Sequence, residues 1–247
     1  MMTRHIRALA GAVIGTAVLF GSVSIAAEPR DGATIVAEYK AVENPAFSRE
    51  KARDQAWMAE YQAKSREARD RRAALAKELF EADPNHADLP EMMSVRWRTM
   101  FTSGDAGVES VMGETRAALA KTRSDKLTDE ARIARAEAEL IRSGPESRDF
   151  LRELDVARSA SRDHPGLLRV LGEAANRSDD TRKRVAFLRQ IVEIAPDSRD
   201  ARRASAKMKQ IDGVGKPFEL TFTDAITGKE VSMSKLRGKV VVIDFWA

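Results

Sequence analysis

Two side-chain types that often serve in catalysis and metal binding, cysteine and histidine, are absent or rare in this sequence. None of the 247 residues is a cysteine, so the chain holds no thiolate nucleophile, no disulfide and no cysteine-based metal site. The three histidines, His5, His86 and His164, are far apart, and the last two stand beside prolines. Because such positions are typical of helix boundaries, we predict that His86 and His164 cap helices or lie at the surface. The sequence predicts no metal site and no cofactor site.

Charged residues are numerous but mixed in sign. The chain has 42 Lys and Arg against 38 Asp and Glu, a formal net charge of +4. The two signs alternate, as in SREARDRRAALAKE, which is typical of a solvated helix face. The basic clusters contain almost no aromatic residues and match no recognition motif, so we predict no nucleic-acid partner.

The periodicity of the sequence changes near residue 213. Phe218, Leu220 and Phe222 alternate with polar residues, and Val231 and Met233 alternate again after the turn-forming segment DAITGK. This pattern predicts a β-hairpin. After a short turn, SKLRG, the continuous apolar run KVVVIDF predicts a central strand that is buried on both faces.

Residues 215–247 resemble the opening of the thioredoxin-like domain in exported thiol-disulfide oxidoreductases of the TlpA/ResA type, within the redoxin superfamily. The matching residues are the turn Leu236-Arg237-Gly238-Lys239 and the strand end Asp244-Phe245-Trp246-Ala247. In that family the hairpin comes first, the turn follows, and the first central strand leads into Trp-Cys-x-x-Cys. Those cysteines are not in the sequence, so we expect a fragment of the domain with no activity of its own.

The resemblance implies roles for three residues. Asp244 corresponds to the buried acid beneath the redox disulfide, which assists proton transfer to the resolving thiol. Trp246 and Phe245 correspond to aromatics that pack under the active-site loop. The implied partners are protein thiols and disulfides and a membrane electron donor. Without the cysteines, the alternative is that Asp244 is simply an acid at a strand end and Trp246 a loosely packed aromatic.

Helix-forming residues dominate the middle of the chain, where β-branched runs are scarce. We predict a long helix from Ser48 to Ala82 and a following helix with Pro90 in its first turn. Further helices are predicted to begin at Thr128 and Ser178, both followed by acids. The segment DSRDARRASAKMKQI predicts a last helix.

Proline breaks divide these helices into short hairpins. Pro165 and Pro196 lie 31 positions apart, close to the period of tetratricopeptide-type repeats. The sequence therefore predicts stacked helical hairpins, with an irregular bundle as the alternative. A stacked array would offer its concave face to a peptide or protein partner.

The first residues have the features of a targeting segment. MMTRHIR is basic, and the following residues are apolar and end in small side chains, which predicts a signal peptide over 1–27. The alternative is a retained N-terminal anchor. Either way we expect an exported protein of the periplasm or cell envelope, soluble or tethered by this segment.

The expected architecture is α+β overall. It comprises the segment 1–27, a helical domain over 28–212, and the incomplete front of a thioredoxin-like α/β domain over 213–247. The function expected from the resemblance is thiol-disulfide exchange by the full-length protein. The alternative is a non-enzymatic exported helical repeat protein that binds or scaffolds a partner.

Overall fold

The computed structural model describes residues 30–216, 220–242 and 244. This part of the chain forms nine α-helices followed by a small antiparallel sheet. The helices are α1 (Gly32–Ala41), α2 (Gln55–Ala82), α3 (Leu89–Met100), α4 (Asp105–Lys121), α5 (Asp125–Ser143), α6 (Arg148–Ala160), α7 (Pro165–Arg177), α8 (Thr181–Ile194) and α9 (Arg199–Gly213). The mainly helical character expected from composition is confirmed.

Polar side chains fix where the helices begin, and three predicted starts were wrong. The long helix begins at Gln55 and not at Ser48, because the Asp54 carboxylate accepts the first free backbone N–H groups, from Ala56 and Trp57. Ser124, and not Thr128, caps α5, accepting the Leu127 N–H at 3.3 Å.

The third corrected start is that of α8. Asp180 caps this helix, accepting the backbone N–H groups of Arg182 and Lys183. Ser178 instead follows the last residue of α7, where its backbone N–H donates to the Ala174 carbonyl oxygen. Its hydroxyl is therefore two residues too early to cap α8.

Two apolar clusters hold the helices together, and α5 belongs to both. Leu127 and the alanines Ala131, Ala134 and Ala138 of α5 face the first cluster. The largest buried side chain of this cluster is Trp97 of α3. Ile133 and Leu140 of α5 face the second cluster, which is built from α5 to α9. Besides neighbours in sequence, α5 packs against both α3 and α7. These three helices therefore lie side by side.

From α5 onward, successive helical hairpins are offset by a nearly constant number of residues. The helices α6 and α8 begin at Arg148 and Thr181, 33 positions apart, and α7 and α9 at Pro165 and Arg199, 34 positions apart. Four side-chain contacts between neighbouring hairpins join residues 31 or 32 positions apart: Ser161 with Asp129, Arg158 with Gln190, Arg169 with Glu137, and Lys207 with Asn176.

The sheet is the β-hairpin that the alternating residues predicted. Its strands, β1 (Thr221–Thr223) and β2 (Glu230–Ser232), pair antiparallel with Phe222 opposite Val231. Phe218 lies outside the described residues. The turn SKLRG is a short 3₁₀-helix over Met233–Leu236, followed by Gly238 in a left-handed conformation (φ 83°).

The apolar run after the hairpin does not form the predicted strand. Val240, Val241 and Val242 pair with no strand in the described part of the chain, and Val240 and Val242 are 97% and 87% exposed. A strand exists only when its backbone groups bond to a neighbour, and here the hairpin's two strands bond only to each other. The expected central strand is therefore not formed by these residues.

Candidate functional site

The residues that the resemblance singled out do not come together as a site in the described part of the chain. Asp244 is exposed and lies outside any helix or strand. Phe245 and Trp246 lie outside the described residues. The expected position of Asp244 beneath a redox disulfide stays a prediction.

A long groove runs instead across one side of the helical region. Its first depression, of about 690 Å³, lies between α3, α5 and the start of α7. Its second depression, of about 580 Å³, lies between α5, α7 and α9, with α8 beneath. Pro165 and Arg169 line both, so the two depressions meet at the first turns of α7. We call the two together the groove; each has the volume of an ordinary ligand pocket.

Glu130 lines the first depression. Its carboxylate lies 3.1 Å from His164 Nε2 and close to the Ser94 hydroxyl. Burial raises the pKa of Glu130, but the hydrogen bond from His164, the polar contact with Ser94 and the nearby charge of Arg98 outweigh it, so the pKa is lowered overall. Glu130 is therefore a carboxylate held ionised between three helices.

His164 caps α7, as the sequence predicted. Its Nδ1 accepts the Gly166 backbone N–H at 3.1 Å. An accepting Nδ1 places the proton on Nε2, which donates to Glu130 and so ties the start of α7 to α5. His86 Nδ1 accepts the backbone N–H of Asp88 at 3.2 Å, but Asp88 precedes the first residue of α3, so this bond caps none of the helix's own N–H groups. The predicted capping role is therefore confirmed for His164 and not for His86, which lies partly exposed in the turn before α3.

Ser94, Glu130 and His164 are not arranged as a serine-hydrolase triad. A serine nucleophile needs an imidazole as its immediate base, with the carboxylate behind the imidazole. Here the carboxylate of Glu130 stands between Ser94 and His164, and both ring nitrogens of His164 are engaged.

The second depression is lined by one stripe each of α7 and α9. On α7 the stripe includes Leu168, Arg169 and Gly172, and on α9 it includes Arg203 and Lys207. Residues three, four and seven positions apart share one face of a helix, so the helical periodicity brings these side chains into the depression. Arg169 donates to the Glu137 carboxylate of α5, and Arg177 forms an ion pair with Glu173 at 2.6 Å.

The sequence predicted a partner-binding face in general terms but none of the residues of this groove. No local motif marks them, because each helix contributes a few charged residues that look like any solvated face. The signal that could have found them is the offset of 31 or 32 positions between oppositely charged or hydrogen-bonding residues, such as Glu137 and Arg169.

Metal-binding clusters and membrane-spanning helices are both absent from the residues that the structure describes. No group of three or more His, Asp or Glu side chains there is arranged to hold a metal ion. No helix there combines the length and the apolar character needed to cross a bilayer. Residues 1–27, predicted as a signal peptide or anchor, lie outside the described residues.

Comparison of the chain with models of known protein families, with curated proteins and with solved structures gave no match.

Proposed function

We propose that the chain forms the helical region and the leading part of a thioredoxin-like domain of an exported thiol-disulfide oxidoreductase. The observation that supports this best is the order of elements after α9. An antiparallel hairpin over 221–232 precedes a 3₁₀ turn, a left-handed Gly238 and an apolar run that ends at Asp244. That is the order in which the family's thioredoxin-like domain begins.

The exposure of the valines supports the same proposal. Val240 and Val242 present apolar side chains to solvent, and neighbouring strands on both sides would bury these side chains.

In the proposed domain, a cysteine thiolate attacks a substrate disulfide, forms a mixed disulfide and releases one substrate thiolate. The second cysteine then attacks the mixed disulfide, releases the reduced substrate and leaves an enzyme disulfide, while Asp244 takes part in the proton transfers. A membrane electron donor would return the cysteines to the dithiol form.

The genomic reading frame after codon 247 tests this proposal directly. In-frame codons for Trp-Cys-x-x-Cys within the next few residues are expected, and a stop codon in an intact transcript would overturn the proposal. We also expect no insulin reduction by the 247-residue chain, since it has no cysteine. A chain extended through the encoded cysteines should reduce insulin, and the same chain with both cysteines replaced by serine should not.

A second candidate function is that of a non-enzymatic binding module, and the groove favours it. Stacked helical hairpins offer a continuous face whose side chains come from successive helices, and such faces bind extended peptides. The constant offset from α5 to α9 and the two adjoining depressions have this form. The two functions are compatible, because the groove and the hairpin are formed by different residues.

A further inference from the structure

The second depression combines an apolar floor with a basic rim. Its floor is formed by apolar side chains of α5, α7, α8 and α9: Ile141, Leu168, Leu188, Ile191 and Ala204. Its rim carries Arg169 and Arg177 from α7 and Arg203 and Lys207 from α9. Four cations contributed by two neighbouring helices therefore surround an apolar strip.

Most of the acids in this depression are already neutralised. Glu137 lies beneath Arg169, since the Glu137 side chain is 13% exposed and the Arg169 side chain 43%. Its second carboxylate oxygen, Oε2, is buried and finds no donor in the described part of the chain. Glu173 is paired with Arg177. Asp200 is the remaining acid, at the start of α9.

The cations of α9 have no such neutralisation. Arg203 is exposed and forms no ion pair with any described residue. Lys207 donates to the side-chain oxygen of Asn176 at 2.6 Å, a neutral acceptor that leaves the ammonium charge uncompensated. Arg203 and Lys207 are four positions apart, so they lie on one face of α9 and reach the same part of the rim.

Most acids of the first depression are neutralised as well. Asp88 is paired with Lys40, Asp129 with Arg132, and Glu130 is hydrogen-bonded to His164.

We propose that the second depression binds an acidic, partly apolar segment of a partner protein in an extended conformation. The segment's carboxylates contact Arg203 and Lys207, and its apolar side chains lie on the floor. This proposal rests on the second candidate function and is independent of the redox proposal. Because the rim charges are exposed, the binding weakens as salt rises.

The test is a fluorescence anisotropy titration of the full chain with three labelled peptides. The probe is a short peptide of Glu and Ser with a central Leu, and its matched forms replace every Glu with Gln or with Lys. We expect the Glu peptide to bind at low salt, about tenfold tighter than the Gln peptide, and the Lys peptide to bind weakest. Raising the salt to about 0.5 M should weaken the Glu complex most.

Matched double variants locate the site. Arg203→Gln with Lys207→Gln should weaken the Glu peptide by about tenfold, since it removes the two uncompensated cations. Arg202→Gln with Lys209→Gln makes the same charge change on α9 residues that do not line the depression and should change the affinity less than about twofold. Both pairs are exposed, so circular dichroism should show unchanged helicity.

Three outcomes would overturn the proposal. Equal weakening by the two double variants would mean that only net charge matters. Equal binding of the three peptides, or tighter binding of the Lys peptide, would reject the acidic chemistry while leaving the groove as a binding face. Binding of no peptide would reject the inference as a whole. None of these outcomes bears on the cysteines, so the redox proposal is judged separately by the reading frame and the insulin assay.

Discussion

At the scale of single residues, the most informative side chain is His164. One imidazole caps α7 through Nδ1 and holds a carboxylate of α5 through Nε2. The sequence predicted the first role, because a histidine before a proline at a helix start is a local feature. It could not predict the second, because Glu130 is 34 positions away and reaches His164 only through the packing of α5 against α7.

Glu130→Gln should make stability less dependent on pH in the acid range. The pKa of folded Glu130 lies below its ordinary value of 4.5, so ionised Glu130 stabilises the folded state. This contribution is complete above about pH 5 and is lost as the pH falls through the folded pKa. We expect the variant to be less stable than the wild type by about 1.5 kcal/mol at pH 7 and by less than that at pH 3, as measured by urea unfolding.

Glu91→Gln is the matched control, because Glu91 lines the same depression but is exposed and forms no hydrogen bond with a described side chain. It should leave the unfolding free energy within about 0.5 kcal/mol of the wild type at both pH values. A difference between Glu130→Gln and the wild type that persisted unchanged at pH 3 would show that the carboxylate charge is not its cause.

At the scale of elements, the sequence predicted the kind of each element better than its bounds. Where several capping residue types lie close together, as Ser124, Asp125 and Thr128 do, each could begin a helix, and only the packed backbone selects Ser124. The hairpin was predictable because alternation and turn residues act locally. The central strand was not, because a strand depends on distant partners that the run Val240–Val242 does not contact.

Asp224→Ala should open the hairpin. Asp224 Oδ1 accepts from the backbone N–H groups of Ile226 and Thr227 and from the Thr227 hydroxyl, at 2.6 to 2.9 Å. These bonds lower the pKa of Asp224 and fix the turn between two strands of only three residues each. We expect amide hydrogen exchange over residues 221–232 to become about tenfold faster.

Asp224→Asn is the control, since its side-chain oxygen still accepts from the same donors. The exchange rates over 221–232 should stay closer to those of the wild type in this variant than in Asp224→Ala. Equal rates in the wild type and in Asp224→Ala would mean that strand pairing, and not the turn, sets the hairpin's stability.

At the scale of the whole molecule, α5 joins the two apolar clusters. Leu127 lies in the first cluster and Leu140 in the second, both fully buried on the same helix. A short helix is stable mainly because of its packing, so α5 should unfold when either cluster is lost, and the other cluster then loses the α5 side chains it contains. We therefore expect the two clusters to unfold together. The helical region predicted over 28–212 should then behave as one cooperative domain, with the groove's shape dependent on both clusters.

Leu171→Ala tests this coupling. Leu171 is buried in the second cluster, and its truncation should lower the free energy of unfolding by about 2–4 kcal/mol. Trp97 is buried in the first cluster and reports on it by fluorescence when Trp57 and Trp246 are replaced by Phe. In that background the Trp97 transition in urea should move to the same lower midpoint as the circular dichroism transition.

Leu151→Ala is the control, because Leu151 is at an exposed position of α6. The free energy of unfolding should change by no more than about 0.5 kcal/mol in this variant, whether it is followed by Trp97 fluorescence or by circular dichroism. A Trp97 midpoint that stays in place while the circular dichroism curve splits would show that α5 does not couple the two clusters.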